Sequence, residues 1–139
     1  MYQPRTYRQG SGSPDLTSFR VCVSETDLFI SAASDLSLPA LEAVKAARAQ
    51  VEAEIGHDRR FLTSLVPLPT RRGCGPVARA MFQAAQAVNV GPMAAVAGAV
   101  AEHVARELVP HSAQIVVENG GDIYIISQDS RLIGIHAGK

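Results

Sequence analysis

Residues 90–126 constrain the fold more than any other stretch of this chain. Val90-Gly91-Pro92-Met93-Ala94-Ala95-Val96-Ala97-Gly98-Ala99-Val100-Ala101-Glu102 opens on glycine and proline and then fills a helical pattern with alanine, valine and glycine. Ile115-Val116-Val117-Glu118-Asn119-Gly120-Gly121-Asp122-Ile123-Tyr124-Ile125-Ile126 follows, with two apolar runs around a polar, glycine-rich tip. Proline at the first helical position loses no hydrogen bond. A helix apolar all round is buried on most sides. Asn-Gly between apolar runs is the strongest local signal for a hairpin. The stretch therefore reads as one helix over 92–109, buried on most sides, handing over to an antiparallel pair.

The rest of the chain supplies partners for these elements. Residues 1–18 mix Gly, Ser, Pro and Arg without periodicity and read as a flexible arm. Residues 19–139 form the domain. Phe19-Arg20-Val21-Cys22-Val23 alternates with period two, and Leu28-Phe29-Ile30-Ser31-Ala32 follows after a polar link of hairpin length. From Pro39, residues Leu41, Val44, Ala47, Val51 and Ile55 recur at helical spacing, with Arg48 beside the stripe and Gly56 as the expected C-cap. Asp58 can cap a short segment containing Phe61, Leu62 and Leu65. Pro76 opens another helix through Val77, Ala80, Met81, Ala84, Ala85 and Val88. Leu132-Ile133-Gly134-Ile135 reads as a last strand. Strands at both ends with helices between them predict an α+β fold of two layers, a mainly antiparallel sheet with helices on one face. The chain stops directly after that last strand, so the domain is expected to be incomplete at its C-terminus.

Charge and cysteine usage narrow the function classes. Thirteen basic and thirteen acidic residues balance, so no electrostatic footprint for nucleic acid or an acidic membrane is present. No signal region and no unbroken apolar run of membrane-spanning length occurs, and no membrane partner is expected. Two cysteines, Cys22 and Cys74, make no disulfide framework, and a cytoplasmic setting is expected. Cys22, alternating with two valines, reads as packing.

Several constellations carry chemistry, each beside a plainer reading. Glu118, Asn119, Gly120, Gly121 and Asp122 put carboxylates, an amide and backbone N–H groups together, enough to bind ribose hydroxyls, a metal or a pyrophosphate. A tight turn explains the same residues. Gly91 and Pro92 start a helix whose free N–H groups can face an anion. Gly98, on that helix, admits a close neighbour, whether a ligand or a packed element. Arg71-Arg72-Gly73-Cys74-Gly75-Pro76 can hold a phosphate or a low-pKa thiol, or be a mobile loop. In Glu25-Thr26-Asp27, either acid can reach a ligand if the turn faces one, and turn chemistry alone also accounts for it. His57, His103, His111 and His136 show no metal-ligand spacing.

Four separated motifs resemble a known family. They are Glu25-Thr26-Asp27-Leu28, Arg60-Phe61-Leu62-Thr63-Ser64-Leu65, the Gly91 to Ala99 run, and Val117-Glu118-Asn119-Gly120-Gly121-Asp122. Together, over residues 7–138, they resemble the UPF0280 family, which is similar to the flavin transferase ApbE. That resemblance implies a T-fold-like architecture. It also implies a site for FAD or FMN with Mg2+, because the transferase moves FMN from FAD onto a protein threonine with a divalent metal. Gly98, Glu102, Asn119, Gly120, Gly121 and Asp122 fall on positions that line the flavin site in the transferase. Ala97 stands where the transferase helix carries lysine, and Glu102 stands in place of an aspartate. The transferase's metal-binding segment lies in a C-terminal half beyond these motifs.

The expected function is binding of a flavin or other small-molecule nucleotide at Gly91, Gly98, Glu118, Asn119, Gly120, Gly121 and Asp122. In the intact protein this would serve metal-assisted flavin or nucleotidyl transfer. The alternative is a non-catalytic ligand-binding or assembly module that forms a homo-oligomer. The catalytic residues and metal ligands are not specified by these motifs.

Overall fold

The computed structural model describes residues 15–128. Strand β1 (Thr17–Val23) pairs antiparallel with β2 (Thr26–Ala32). Helices α1 (Ser37–His57), α2 (Arg60–Thr63) and α3 (Pro76–Val88) follow. A 3-10 turn (Pro92–Ala95) leads into α4 (Val96–Leu108), and β3 (Ile115–Asn119) and β4 (Asp122–Ile126) close the described part. The sheet is antiparallel throughout, in the order β1-β2-β3-β4. This is an α+β fold.

Alternation along the strands decides which face is covered. Phe19, Val21, Leu28, Ile30, Ala32, Ile115 and Val117 point to one side and join the core with the buried faces of the helices. Helix α1 lies against β1, and α4 against β3 and β4, while α3 packs on α1 and α4. Ala40, Ala43 and Ala47 of α1 and Ala101 and Ala105 of α4 are buried. Small side chains at such contacts let helix axes approach closely. Phe61 of α2 meets Phe82 of α3 edge-on, with ring centroids 5.1 Å apart, a favoured aromatic geometry.

Several expectations need correction. Strand β1 begins at Thr17, inside the stretch read as an arm. The β1–β2 link is a two-residue turn, Ser24 and Glu25, with Ser24 at φ 49°. Cys22 faces away from the core and is exposed, because period-two alternation puts it opposite Val21 and Val23. Gly56 lies inside α1, whose C-cap is Asp58. The buried stripe of α1 runs through Ala40, Val44, Ala47, Val51 and Glu54, leaving Leu41 and Ile55 at its margins. On α3 the buried stripe includes Ala78 and Phe82, while Ala84 and Val88 face outward. The 92–109 helix is not uniform. Its first turn is 3-10, and residues 93–98 are half-buried or exposed. The expected strand at 132–135 lies outside the described residues. Among the described residues, no single helix is long and apolar enough to cross a membrane.

Candidate functional site

A cleft of about 420 Å³ opens on the helix-covered side of the sheet, and it explains why the start of α4 is not buried. Val51 and Ile55 of α1, Leu62 of α2, Met93 of the 3-10 turn, and Val96, Ala97 and Val100 of α4 form its apolar walls. Glu25 and Thr26 of the β1–β2 hairpin, Arg48 and Glu52 of α1, and Asn119 at the end of β3 supply its polar groups.

These polar groups are held in place. Arg48 Nη1 donates to Thr26 Oγ1 at 2.8 Å, and Nη2 donates to Glu25 Oε2 at 3.0 Å. Glu52 lies one helical turn on, with Oε1 3.7 Å from the same nitrogen. Arg48 thus lays its stem along α1 and ties the hairpin tip to that helix. Asn119 Nδ2 donates to the Ala97 carbonyl at 3.1 Å, which ties β3 to the first turn of α4. Glu25 titrates below its ordinary value, first through a hydrogen bond with its own backbone and then through Arg48. A depressed carboxylate stabilises the fold at pH values above its unfolded pKa, and that contribution is lost as pH falls through the folded one. The Arg48–Glu25 pair is therefore expected to hold at neutral pH and to open only under acid. Carboxyl-carbon NMR will find Glu25 below ordinary glutamates in the native chain and closer to them in Arg48→Met.

Of the expected binding residues Gly91, Gly98, Glu118, Asn119, Gly120, Gly121 and Asp122, Asn119 alone lines this cleft, and Glu25 of the first hairpin turn joins it there. The hairpin turn consists of Gly120 (φ 61°) and Gly121 (φ 104°), so both glycines supply the positive φ values of a two-residue hairpin loop. Asn119 is the last residue of its strand, which frees its amide to reach Ala97. Glu118 points to the opposite face of the sheet, because neighbours in a strand alternate. Its Oε1 accepts from Gly121 N–H at 3.2 Å. Asp122 is exposed at the start of β4. The two carboxylates and the amide thus do not converge on one point.

Gly91 is buried against another segment of backbone. A Cβ there would fall 1.7 Å from the Ser64 carbonyl oxygen. Two of the amides at this helix start are engaged: Ala94 N–H donates to Gly91 O, and Val96 N–H to Met93 O. Gly98 meets no close neighbour, since a Cβ built there has nothing within 4 Å. Glu102 is paired with Arg106 one turn later on α4. The Arg71 loop is equally committed. Arg71 clamps the buried Glu54, Cys74 is buried, and Gln50 Oε1 accepts from Val77 N–H at the start of α3. Asp27 faces away from the cleft and is paired with Arg20. Among the described residues, no three His, Cys, Asp or Glu side chains gather to hold a metal.

Arg48, Thr26 and Glu25 carry more of the cleft than their sequence signals implied. Arg48 was visible only as a charge beside an apolar stripe. Its partners lie 22 and 23 residues away in the chain, beyond the reach of helical or strand periodicity.

The model of a family described as AbpE bacteria matches residues 9–139. The chain belongs to this family, the UPF0280 proteins. It is 41% identical over 120 residues to a UPF0280 protein of Methanopyrus kandleri, covering 86% of this chain and 48% of the relative. It is 39% identical over 101 residues to one from Archaeoglobus fulgidus, covering 72% and 42%. It is 42% identical over 103 residues to one from Methanothrix thermoacetophila, covering 72% and 43%. The chain spans about half the length of the curated relatives it matches. Within this UPF0280 chain, the cleft is where α1, α4 and the two hairpins meet.

Proposed function

We infer that this UPF0280 chain binds a flavin or other nucleotide in the cleft between α1, α4 and the two hairpins. The observation that carries this reading is the lining itself: apolar walls around a volume of about 420 Å³, with a few anchored polar groups at Thr26, Arg48 and Asn119. Sites for flat ligands have this composition and size. The resemblance to the flavin transferase supports the choice of flavin, and the position of Asn119, shared by the motif and the cleft, connects the two. Transfer chemistry belongs to the longer protein, with metal ligands from outside the described residues, and no transfer step is assigned to this chain. Cys22 and Cys74 are not in a disulfide among the described residues, which supports a cytoplasmic setting.

A second reading, an assembly module, is favoured by Leu65 and Val66. They are 88% and 62% exposed on the segment that crosses Gly91. Titration of the purified chain with FAD, FMN and ATP, with and without magnesium, tests the first reading. Saturable fluorescence quenching by a flavin is expected, weakened about tenfold in Asn119→Ala by loss of one polar wall group. No saturation by any of the three sinks the binding reading. Sedimentation of the same samples as a multimer would then favour assembly.

A further inference from the structure

The charge of the cleft's rim narrows the ligand class, and this step rests on the cleft being the binding site as inferred above. The charged residues among its lining are Glu25, Arg48 and Glu52. The Arg48 guanidinium already donates to Thr26 and Glu25 and lies near Glu52. One cation against two carboxylates leaves the rim net negative. A phosphate entering there must displace Glu25 from Arg48 and face a second carboxylate, and like charges at such distances repel. At the start of α4, Ala94 and Val96 donate their N–H groups within the 3-10 turn, so neither is available to a phosphate.

The remaining polar groups point to a different kind of ligand. Asn119 commits Nδ2 to Ala97, which leaves its Oδ1 as an acceptor at the wall. Thr26 Oγ1 accepts from Arg48, which leaves its hydroxyl proton to donate. One acceptor and one donor beside apolar walls complement a neutral ring carrying an N–H next to a C=O.

We propose that the cleft selects the uncharged end of its ligand, a flat heteroaromatic ring with an amide edge read by Asn119 and Thr26, and keeps phosphates outside the rim of Glu25 and Glu52. For a flavin, the ring enters and the phosphate chain stays in solvent.

The test compares riboflavin, FMN, FAD and riboflavin methylated on its ring imide nitrogen, all on the full chain by fluorescence quenching. Riboflavin is expected to bind at least as well as FMN at low salt. FMN is expected to gain about threefold relative to riboflavin on Glu52→Gln or on raising the salt, as screened surface charge predicts. The methylated ring is expected to lose about tenfold, one hydrogen bond left unmade. FMN or FAD binding tenfold tighter than riboflavin, or an unaffected methylated ring, overturns the proposal while leaving the flavin reading standing. Binding by none of the four overturns the flavin reading beneath it.

Discussion

Gly91→Ala will unfold a large fraction of the chain or lower its melting temperature by about 10 °C. The added Cβ would lie 1.7 Å from Ser64 O, 2.7 Å from Ser64 C and 3.3 Å from Leu65 Cα. These are backbone atoms, so no side-chain rotation relieves the overlap. The segment after α2 must move off the 3-10 turn, and overpacking of a buried site typically costs about 1–3 kcal/mol, more where backbone shifts. For a chain of this size, each kcal/mol lowers the melting temperature by about 3–5 °C. Gly98→Ala is the matched control. A Cβ there meets nothing within 4 Å, and alanine gains up to about 1 kcal/mol over glycine inside a helix. Thermal melts of both variants decide the matter. A Gly91→Ala protein as stable as the parent would show that the crossing at Ser64 is not tight.

Arg71→Ala will destabilise the fold well beyond a neutral surface substitution, because it removes the partner of a buried carboxylate. Glu54 falls on the buried stripe of α1, and its side chain is 3% exposed. Arg71 Nε donates to both carboxylate oxygens at 3.0 Å, and Nη2 adds a third bond. Removing the guanidinium leaves a charge with little water around it. Arg71 is 34% exposed, so some solvent can enter, which limits the loss. Replacing both partners, Glu54→Leu with Arg71→Met, is expected to recover most of the loss, because the stripe then continues as hydrocarbon. Urea denaturation of the single and double variants measures this. A single variant within 0.5 kcal/mol of the parent, roughly the range of neutral surface changes, would show that the clamp contributes nothing.

The same two residues show where local pattern stops being informative. Spacing of apolar residues located α1, but Glu54 occupies a core position that polarity alone would assign to solvent. Its partner is 17 residues away, across a loop. The Arg71 loop had the composition of a phosphate site, and in the fold Arg71, Cys74 and Val77 N–H at the helix start are engaged by α1 or by the core. The tip at Asn119 to Asp122 was legible as a hairpin because Asn-Gly-Gly-Asp has only a few ways to turn. Its grouping as a binding site did not carry over in full. Strand alternation sends Glu118 and Asn119 to opposite faces of the sheet.

The sequence by itself determined the α+β class, the antiparallel hairpins, the order of the helices and the family. Those depend on periodicity, turn chemistry and motif order, all written within short windows of chain. Tertiary structure alone decided the cleft. Its walls come from α1, α2, α4 and two hairpins, and its polar groups meet only when Arg48 reaches Thr26 and Asn119 reaches Ala97. Tertiary structure also separated two glycines that look alike in one helical run. Gly91 is required by a crossing backbone, whereas Gly98 faces open space. The physical reason is the same in both cases. Excluded volume and side-chain pairing act between residues close in space, and distance along the chain does not record them.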